Sequence, residues 1–190
     1  MTAAARFAPI LPQLLTRARA WRDLSLAPFE LLSALRVIED LDRMDRLEIQ
    51  LGGVDPTPDA ILRQFVLQDA TGSHLQIVWR HRPEGGAEPF AIVMIDELLA
   101  RGTASAALIA RDHVRFAAPL RRLVAGLRAD LPGAMAQSGL RRLECRCWAE
   151  HPTAPGLLTA IGFAFETELH GFGLSQTPWL QFALVPEKGS

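Results

Sequence analysis

A few side chains near the ends of apolar segments could take part in acid–base chemistry. Asp96 and Glu97 end the run that begins with FAIVMI, while Glu150 and His151 follow the alternating run LRRLECRCW, which contains Cys147. A carboxylate at such a position could accept a proton from an amine, and a thiol or an imidazole could donate one to a leaving group. Carboxylates that end strands are also common as solvated surface charges, so Glu97, Glu150, His151 and Cys147 are candidates only.

The cysteines and the other histidines predict no metal centre. Cys145 and Cys147 lie two apart, which places both on one face of a strand without the geometry of a disulfide. Two sulfurs without neighbouring ligands make a poor zinc site, so we interpret them as a buried apolar pair. His74, His81 and His170 are spread along the chain, and no Ser-His-Asp order, P-loop or dinucleotide fingerprint is present. We expect no zinc, nucleotide hydrolysis or hydride transfer.

Composition places the candidate residues in one globular domain. The chain has 190 residues, of which 49% are hydrophobic, and 20 basic and 21 acidic side chains give a formal net charge of -1. This balance predicts no nucleic-acid partner and no membrane partner. We expect an N-terminal arm over residues 1–27 and a single domain over residues 28–190. The arm carries large apolar groups such as Phe7, Leu11 and Trp21, so it either folds back on the domain or binds another protein.

The first half of the domain is predicted to be helical and then to form a hairpin. Apolar residues recur every three or four positions from Pro28 to about Gln50, which indicates a helix, although RVIED could interrupt it as a short strand. After the GGVDPTP loop, Thr57 is a candidate cap for a helix over about residues 58–68. The segments HLQIVWR and FAIVMID, separated by turn residues, predict two antiparallel strands.

The segment after the hairpin is predicted to be a strand followed by a long helix. SAALIAR indicates a strand, with a helix that starts near Thr103 as the alternative. Asp112 stands where a helix cap belongs. The helix then runs to about Gln137, and Pro132-Gly133 is expected to break its last turns.

The last third is predicted to add a strand, a short helix and two more strands. In LRRLECRCW, alternation turns Leu143, Cys145 and Cys147 inward. Thr153 is expected to cap the short helix, and Gly162 to end it in the left-handed conformation. The segments FETELHGF and WLQFALV then complete a mixed sheet.

This order of elements resembles the closing part of the GNAT N-acetyltransferase superfamily, over about residues 70–186. In that family the short helix commonly reads Asn-x-x-Ala-x-x-x-Tyr-x-x-x-Gly-Phe, and the matching positions here are His151, Ala154, Leu158, Gly162 and Phe163. The resemblance implies an α/β (α+β) fold with a mixed, mostly antiparallel central sheet flanked by helices. The segments DRMDRLEIQLGG, ARDHVRF and CRCWAEHPTAPGLLTAIGF resemble, more narrowly, GNAT-like proteins encoded in phage and prophage structural gene clusters.

The resemblance also implies where a cofactor would bind. GNAT enzymes hold the pyrophosphate of acetyl-CoA with backbone N–H groups at a helix N-terminus, after a Gly-containing loop. The matching junction here is RDHVRFAAP, which makes His113, Val114, Arg115 and Phe116 the cofactor-binding candidates. The junction has no Gly, and a carboxylate at Asp112 would compete for the same donors. The family's usual proton donor, a Tyr, is also missing, since the chain contains no Tyr.

Three functions remain open. The first is a catalytically degenerate GNAT-fold protein that needs no cofactor and serves as a structural or assembly component of a phage or phage-derived particle. Its partners would be particle proteins or a second copy, bound through the N-terminal arm. The alternative is an active N-acetyltransferase that transfers acetyl from acetyl-CoA to an amine. The third is a module that binds a small molecule or CoA derivative between separated central strands. These functions predict a location in a virion or in the bacterial cytoplasm.

Overall fold

The sheet and its flanking helices are seen in a computed structural model that describes residues 23–98, 100–174 and 176–186. The elements in chain order are β1 (Leu24–Pro28), α1 (Leu31–Glu39), α2 (Arg43–Leu51), α3 (Pro58–Ala70), β2 (His74–His81), β3 (Ala87–Glu97), β4 (Thr103–Ala110), α4 (Ala117–Ser138), β5 (Arg142–Trp148), α5 (Ala154–Ile161), β6 (Ala164–Leu169) and β7 (Trp179–Leu184). The strands form one sheet in the order β1-β2-β3-β4-β5-β7-β6. All neighbours are antiparallel except β4 and β5, which are parallel. The predicted fold class is therefore confirmed.

Apolar alternation along the strands builds a core on each side of the sheet. On one side Val93 and Ile95 pack with buried residues of α4 and α5. On the other side Ile77 and Ile92 pack with buried residues of α1 and α3. The predicted hairpin strands are β2 and β3, and SAALIAR lies in β4 and the residue after it, so the alternative of a helix near Thr103 is wrong.

The prediction of one continuous helix from Pro28 to about Gln50 is wrong, because this segment forms two helices, α1 and α2, which are separated at residues 40–42. Asp42 begins the second helix, with its Oδ1 accepting a hydrogen bond from the Met44 N–H at 2.8 Å. The RVIED segment lies in α1 and the residue that follows it, so the alternative of a short strand is also wrong. The break turns the acidic residues at 40–42 towards the end of β4, where Leu41 forms a bridge with Arg111.

The start of the sheet lies inside the segment that the sequence assigned to the N-terminal arm. Strand β1 pairs with β2 from Leu24 opposite Arg80 to Pro28 opposite Gln76. Residues 24–27 therefore belong to the sheet rather than to an arm. Residues 1–22 of the predicted arm lie outside the described residues.

Two predictions about the long helix α4 are wrong. It begins at Ala117, not beside Asp112, and it continues through Pro132 to Ser138. A proline inside a helix costs about 3 kcal/mol or more because a hydrogen bond is lost. The flanking Leu131 and Met135 are buried, at 4% and 0% exposure, and their burial offsets that cost.

The last third of the chain follows its sequence pattern closely. Leu143, Cys145 and Cys147 of β5 are buried, and both cysteines are free thiols. Gly162 ends α5 with φ +115°, a left-handed conformation that Gly adopts without the steric cost of a side chain. Strand β6 ends at Leu169, so the prediction that His170 lies in a strand is wrong.

Candidate active site

A cleft opens in the middle of the sheet because β4 and β5 separate. They pair only from Thr103 opposite Arg142 to Ser105 opposite Glu144. Farther along, β5 pairs with β7 on its other side, as far as Trp148. The rest of β4, from 106 to 110, therefore has a neighbour in β3 alone.

Backbone groups of β4 face this cleft at alternate residues. The Ala106 carbonyl accepts a hydrogen bond from a thiol of β5 at 3.1 Å. At the other end the Ala110 N–H donates to Asp45 at 2.8 Å, and the Ala110 carbonyl accepts from the Asp42 N–H at 3.0 Å. Leu108 lies midway in the same alternation, so its N–H and C=O also face the cleft. An extended ligand that carries amide groups could pair with β4 there.

A cavity of about 250 Å³ lies in the cleft. Part of its lining is apolar, including Leu157 and Trp179. Its ionisable side chains come from three separate parts of the chain and are Asp45, Glu48, His113, Arg146 and His151 together with the two thiols Cys145 and Cys147. A polar group of this kind inside an otherwise apolar cavity is typical of a binding or catalytic site.

Asp45 is the central acceptor of this group. Its Oδ2 accepts from the Ala110 N–H, and its Oδ1 lies 3.2 Å from the Nε2 atoms of both His113 and His151. Burial would raise the pKa of Asp45, but the hydrogen bonds from the two imidazoles and from Ala110 outweigh it and lower that pKa below its usual value. Asp45 is therefore an ionised structural acceptor.

His113 lies between two carboxylates. Its Nε2 contacts Asp45, and its Nδ1 lies 3.8 Å from the Asp42 Oδ2. Burial would lower the pKa of His113, but the hydrogen bond and charge of Asp45 and the charges of Asp42 and Asp112 raise it above its usual value. The protonated imidazole is thus stabilised at the mouth of the cavity.

His151 begins the short helix α5. Its Nδ1 accepts hydrogen bonds from the Ala154 N–H at 3.0 Å and the Thr153 N–H at 3.3 Å. These partners assign the ring proton to Nε2, which donates it to Asp45. Thr153 is the N-cap residue, as predicted, but its side chain makes no capping hydrogen bond. His151 performs that role instead, which leaves it poorly placed to donate a proton to a ligand.

Glu48 is the group whose acidity suits proton transfer at neutral pH. Burial raises its pKa to about 7, helped by the charge of Asp45 and opposed by the charge of His151 and the hydrogen bond from the Trp148 N–H. That N–H donates to the Glu48 Oε2 at 3.1 Å and holds the carboxyl at the cavity wall. A carboxyl that is about half ionised near pH 7 is well matched to general-base catalysis.

The catalytic candidates taken from the sequence divide into two pairs. Cys147 and His151 line the cavity, whereas Glu97 and Glu150 are absent from its described lining. Burial raises the pKa of the Cys147 thiol to about 12, so it holds its proton too tightly to protonate a thiolate readily. Glu97 ends β3, and Glu150 lies in the turn after β5, where both are solvent-exposed.

Sequence reasoning missed Asp45 and Glu48, although a signal was present. The two carboxylates lie three apart on α2, which places them on one face of the helix, and Asp45 occupies an apolar position of the repeat. An acidic residue at a core-facing position indicates a buried partner. What the sequence could not indicate was that His151, 106 positions away, supplies one.

The four cofactor-binding candidates lie in the junction loop, residues 111–116, between β4 and α4. The His113 N–H donates to the Asp42 Oδ2 at 2.9 Å, and the N–H groups of Val114 and Arg115 both donate to the Asp112 Oδ1 at 3.0 Å. The Phe116 N–H donates to the Asp112 carbonyl at 3.0 Å. The donors at this helix N-terminus thus already bind oxygen atoms of the chain, as the sequence led us to expect for Asp112.

The side chains of the junction loop serve different purposes. Val114 is 88% exposed, while Phe116 is fully buried and stacks on Phe90 with ring centroids 5.5 Å apart. Arg115 pairs with the Glu88 Oε2 at 3.0 Å. The backbone of the loop, rather than its side chains, is therefore what an anionic ligand could use.

Among the described residues, Asp42, Asp45 and His113 are the group whose ligand atoms lie close enough together to hold a metal ion. Each already has partners within the chain, because the imidazole contacts both carboxylates and both carboxylates accept backbone N–H groups. These contacts account for the cluster as an ion pair without a metal.

In the part of the chain that the structure describes, no helix combines the length and apolar character needed to cross a bilayer.

Comparison with known proteins gives matches in structure but not in sequence. No family model and no curated protein matches the chain. A GNAT-family acetyltransferase from Bacillus anthracis superposes with a TM-score of 0.63 at 15% identity, covering 87% of this chain and 96% of that one. Spermidine N-acetyltransferase from Vibrio cholerae, in complex with CoA and spermine, gives 0.64 at 14% identity, covering 88% and 98%.

A third similar structure is the ribosomal-protein-S5-alanine acetyltransferase from Vibrio fischeri, with a TM-score of 0.60 at 11% identity, covering 88% of this chain and 96% of that one. Identities this low show a shared fold rather than a shared activity. The sheet order, the separated β4 and β5 and these superpositions together show that the chain has the fold of the GNAT acetyltransferases.

Proposed function

We propose that the protein is an acetyl-CoA-dependent N-acetyltransferase that acts on an amine in the cleft between β4 and β5. The observation that carries the proposal is Glu48, a carboxyl with a pKa of about 7 that lines this cavity. Acetyltransferases of known structure share the fold, and one of them was solved with CoA and spermine. An acyl transfer to an amine needs a group that removes a proton from the amine, and Glu48 has the acidity for it.

The residues of the cleft fit parts of acetyl-CoA. The amide groups of its pantetheine arm match the backbone N–H and C=O of Leu108, which face the cleft. The junction loop offers backbone N–H groups, and these now donate to the carboxylates of Asp42 and Asp112, so the donor set suits anionic oxygens. When bound, the cofactor would supply an acetyl group activated as a thioester.

The roles of the chain's own residues follow from their contacts. Glu48 accepts the proton that an amine must lose as it attacks, while the Trp148 N–H keeps the carboxyl in place. Asp45 holds His113 and His151 against α2 and thereby fixes the cavity wall. Leu158 stands at the position of the family's Tyr, and it has no proton to donate. In this proposal the departing thiolate takes its proton from water.

The test combines binding with catalysis. Calorimetric titration should detect acetyl-CoA binding, and release of free CoA thiol should be measured with a panel of amines that includes spermine. Glu48→Gln keeps the size of the side chain and removes the base, so we expect kcat to fall by about 10²–10⁴-fold while acetyl-CoA affinity stays the same. Glu150→Gln is the matched control, because Glu150 lies outside the cavity lining, and its activity should equal that of the wild type. Absence of binding at millimolar acetyl-CoA would rule the proposal out.

A second candidate is a non-catalytic GNAT-fold protein that binds other proteins. Two features favour it: the N–H groups of the junction loop already donate to carboxylates, and the chain has no Tyr. The apolar N-terminal segment would supply the contact, with a second copy or with particle proteins as partner. The similar solved structures give no support to a phage or virion origin. Deletion of residues 1–22 should abolish self-association in sedimentation experiments if this candidate is correct, and a wild-type protein that is monomeric would count against it.

A further inference from the structure

Between α1 and α2 the chain forms an acidic turn, residues 40–42, that lies against the junction loop. The Asp42 N–H donates to the Ala110 carbonyl at 3.0 Å, and the Asp112 N–H donates to the Asp40 carbonyl at 3.3 Å. Leu41 and Arg111 form a bridge between them. The acidic turn is therefore attached by backbone hydrogen bonds to the loop where a diphosphate would bind.

Two carboxylates take the N–H groups at the start of this loop. Asp42 uses one oxygen for the His113 N–H and the other for the Met44 N–H, so it joins the loop to the first turn of α2. Asp112 uses a single oxygen for the N–H groups of Val114 and Arg115. The hydrogen bonds from Arg115 and Val114 lower the pKa of Asp112, despite the smaller opposing effect of desolvation, so its carboxylate is ionised at neutral pH.

Two nearby guanidinium groups, those of Arg111 and Arg115, are also paired with carboxylates. Arg111 contacts the Asp40 carboxylate and donates to the Pro89 carbonyl at 2.9 Å. Arg115 pairs with Glu88 at 3.0 Å. A hollow of about 470 Å³ lies beside these groups. Its charged lining consists of Asp40, Asp42, Asp112, Arg43, Arg111 and Arg115. The hollow has space and donors for an anion, while the chain's own carboxylates use many of those donors.

We propose that Asp42 and Asp112 form an autoinhibitory contact that closes the diphosphate site of this acetyltransferase. The inference rests on the proposed function, since it concerns the binding of the same cofactor. A diphosphate can reach the N–H groups of residues 113–115 only when both carboxylates leave them, because like charges repel at hydrogen-bond distance. Movement of the acidic turn away from β4 would withdraw Asp42, whereas Asp112 is exposed and can rotate into water.

The test compares CoA with pantetheine, which has no phosphate groups. We expect the variant Asp42→Asn with Asp112→Asn to bind CoA about tenfold more tightly than the wild type, because neither amide side chain carries a charge that repels a diphosphate. The amide at position 42 also has a single acceptor oxygen, so it cannot bind the N–H groups of both Met44 and His113 as the carboxylate does. Pantetheine affinity should not change. Asp59→Asn, which makes a single Asp-to-Asn change at an exposed site on α3, is the control and should bind both ligands as the wild type does.

Three outcomes separate this inference from the proposed function. Tighter CoA binding by the double variant alone, with pantetheine unchanged, supports the contact. Equal CoA binding by wild type, double variant and control overturns the contact but leaves the acetyltransferase proposal standing. Failure of all three proteins to bind either ligand overturns both. Asp112→Ala provides a second measurement, because it leaves the Asp42 cap of α2 untouched. This variant should also bind CoA more tightly than the wild type, and it replaces the double variant in the test if the double variant is poorly folded.

Discussion

The two halves of the sheet are stabilised in different ways. From β1 to β4 the strands pair along their length, with one register shift, between Val78 and Trp79 of β2. Buried apolar side chains such as Ile77, Phe90 and Ile92 cover both faces. Between β4 and β5 the pairing stops after Ser105, and the side chain of Asp45 takes the place of a strand at Ala110. The first half therefore depends on apolar burial, whereas the cleft adds buried charge and its partners to the apolar burial that continues in β5 and β7.

This difference indicates where chemistry can occur. A continuous ladder uses its backbone donors and acceptors, so a ligand finds none free. Where the ladder stops, those groups face a cavity, and ionisable side chains can be kept there only if other groups compensate for their lost hydration. Asp45 has two imidazoles and a backbone N–H for this purpose, while Glu48 has a single N–H and a pKa raised to about 7. Glu48, the less compensated carboxyl, is the base in the function that we propose.

The largest effect is expected in the apolar half. Phe90 is fully buried and stacks on Phe116, so Phe90→Ala should lower the free energy of unfolding by about 3–5 kcal/mol, as measured by urea denaturation. Phe165→Ala is the control: Phe165 lies on β6 with 56% exposure, although its ring contacts Phe182. A similar loss for both variants would contradict the idea that burial of the Phe90 ring stabilises the fold.

In the cleft, Asp45→Asn is expected to lower the free energy of unfolding by less than Phe90→Ala does. The amide can still accept from the Ala110 N–H, but it loses charged hydrogen bonds to His113 and His151, and we expect a loss of about 2–3 kcal/mol at pH 7. The folded state lowers the Asp45 pKa, so the stability from ionised Asp45 is present above its ordinary value of 3.8 and is lost as pH falls through the lowered pKa.

The pH dependence of the Asp45 prediction provides its own check. Wild type and Asp45→Asn should differ most near neutral pH and converge in acid, when urea denaturation is repeated at each pH. Asp59→Asn, in the exposed first turn of α3, is the control and should differ from the wild type by less than about 1 kcal/mol at each pH. A difference between wild type and Asp45→Asn that is independent of pH would mean that the charge of Asp45 does not stabilise the cleft.

Glu48→Gln should raise the free energy of unfolding, whereas Asp45→Asn should lower it. The folded state raises the Glu48 pKa from 4.5 to about 7, so folding favours the protonated carboxyl, and this contribution to stability is lost as pH rises from 4.5 through 7. Glu48 is partly exposed, which reduces the effect to about 1–2 kcal/mol, and we expect Glu48→Gln to be more stable than wild type by this amount at about pH 8. Thermal unfolding at about pH 8 and below pH 4.5 measures it, and an equal gain at both would contradict the raised pKa.

The sequence predicted the apolar faces of the strands, in both halves of the sheet, better than the contacts in the cleft. Alternating residues such as Leu143, Cys145 and Cys147 reveal a strand because each side chain responds to the nearest face of the sheet. The break between α1 and α2 was missed because helical spacing continues across residues 40–42, where Asp42 is the signal for a new helix. A turn that leaves the spacing of the apolar residues unchanged cannot be detected from that spacing.

The cleft was harder to predict because its residues meet only in the folded chain. Asp112 was recognised as a carboxylate that would compete for the loop N–H groups, since it is adjacent to them in sequence. Asp42, which takes the His113 N–H, reaches the loop from 71 positions away. Glu48 acquires its raised pKa from burial against β5, and no spacing of residue types along α2 records that burial.

The smallest predicted effect tests which side chain begins α5. A Thr at the start of a helix usually caps it, and Thr→Ala then costs about 0.5–2 kcal/mol. Here the N–H groups of Thr153 and Ala154 donate to the His151 Nδ1, and the Thr153 side chain makes no capping bond. We therefore expect Thr153→Ala to change the free energy of unfolding by less than about 0.5 kcal/mol, and His151→Ala to lower it by more than 1 kcal/mol. In urea denaturation the Thr153→Ala result decides, because a Thr153 cap would give a loss of about 0.5–2 kcal/mol, whereas the loss for His151→Ala also includes its contact with Asp45.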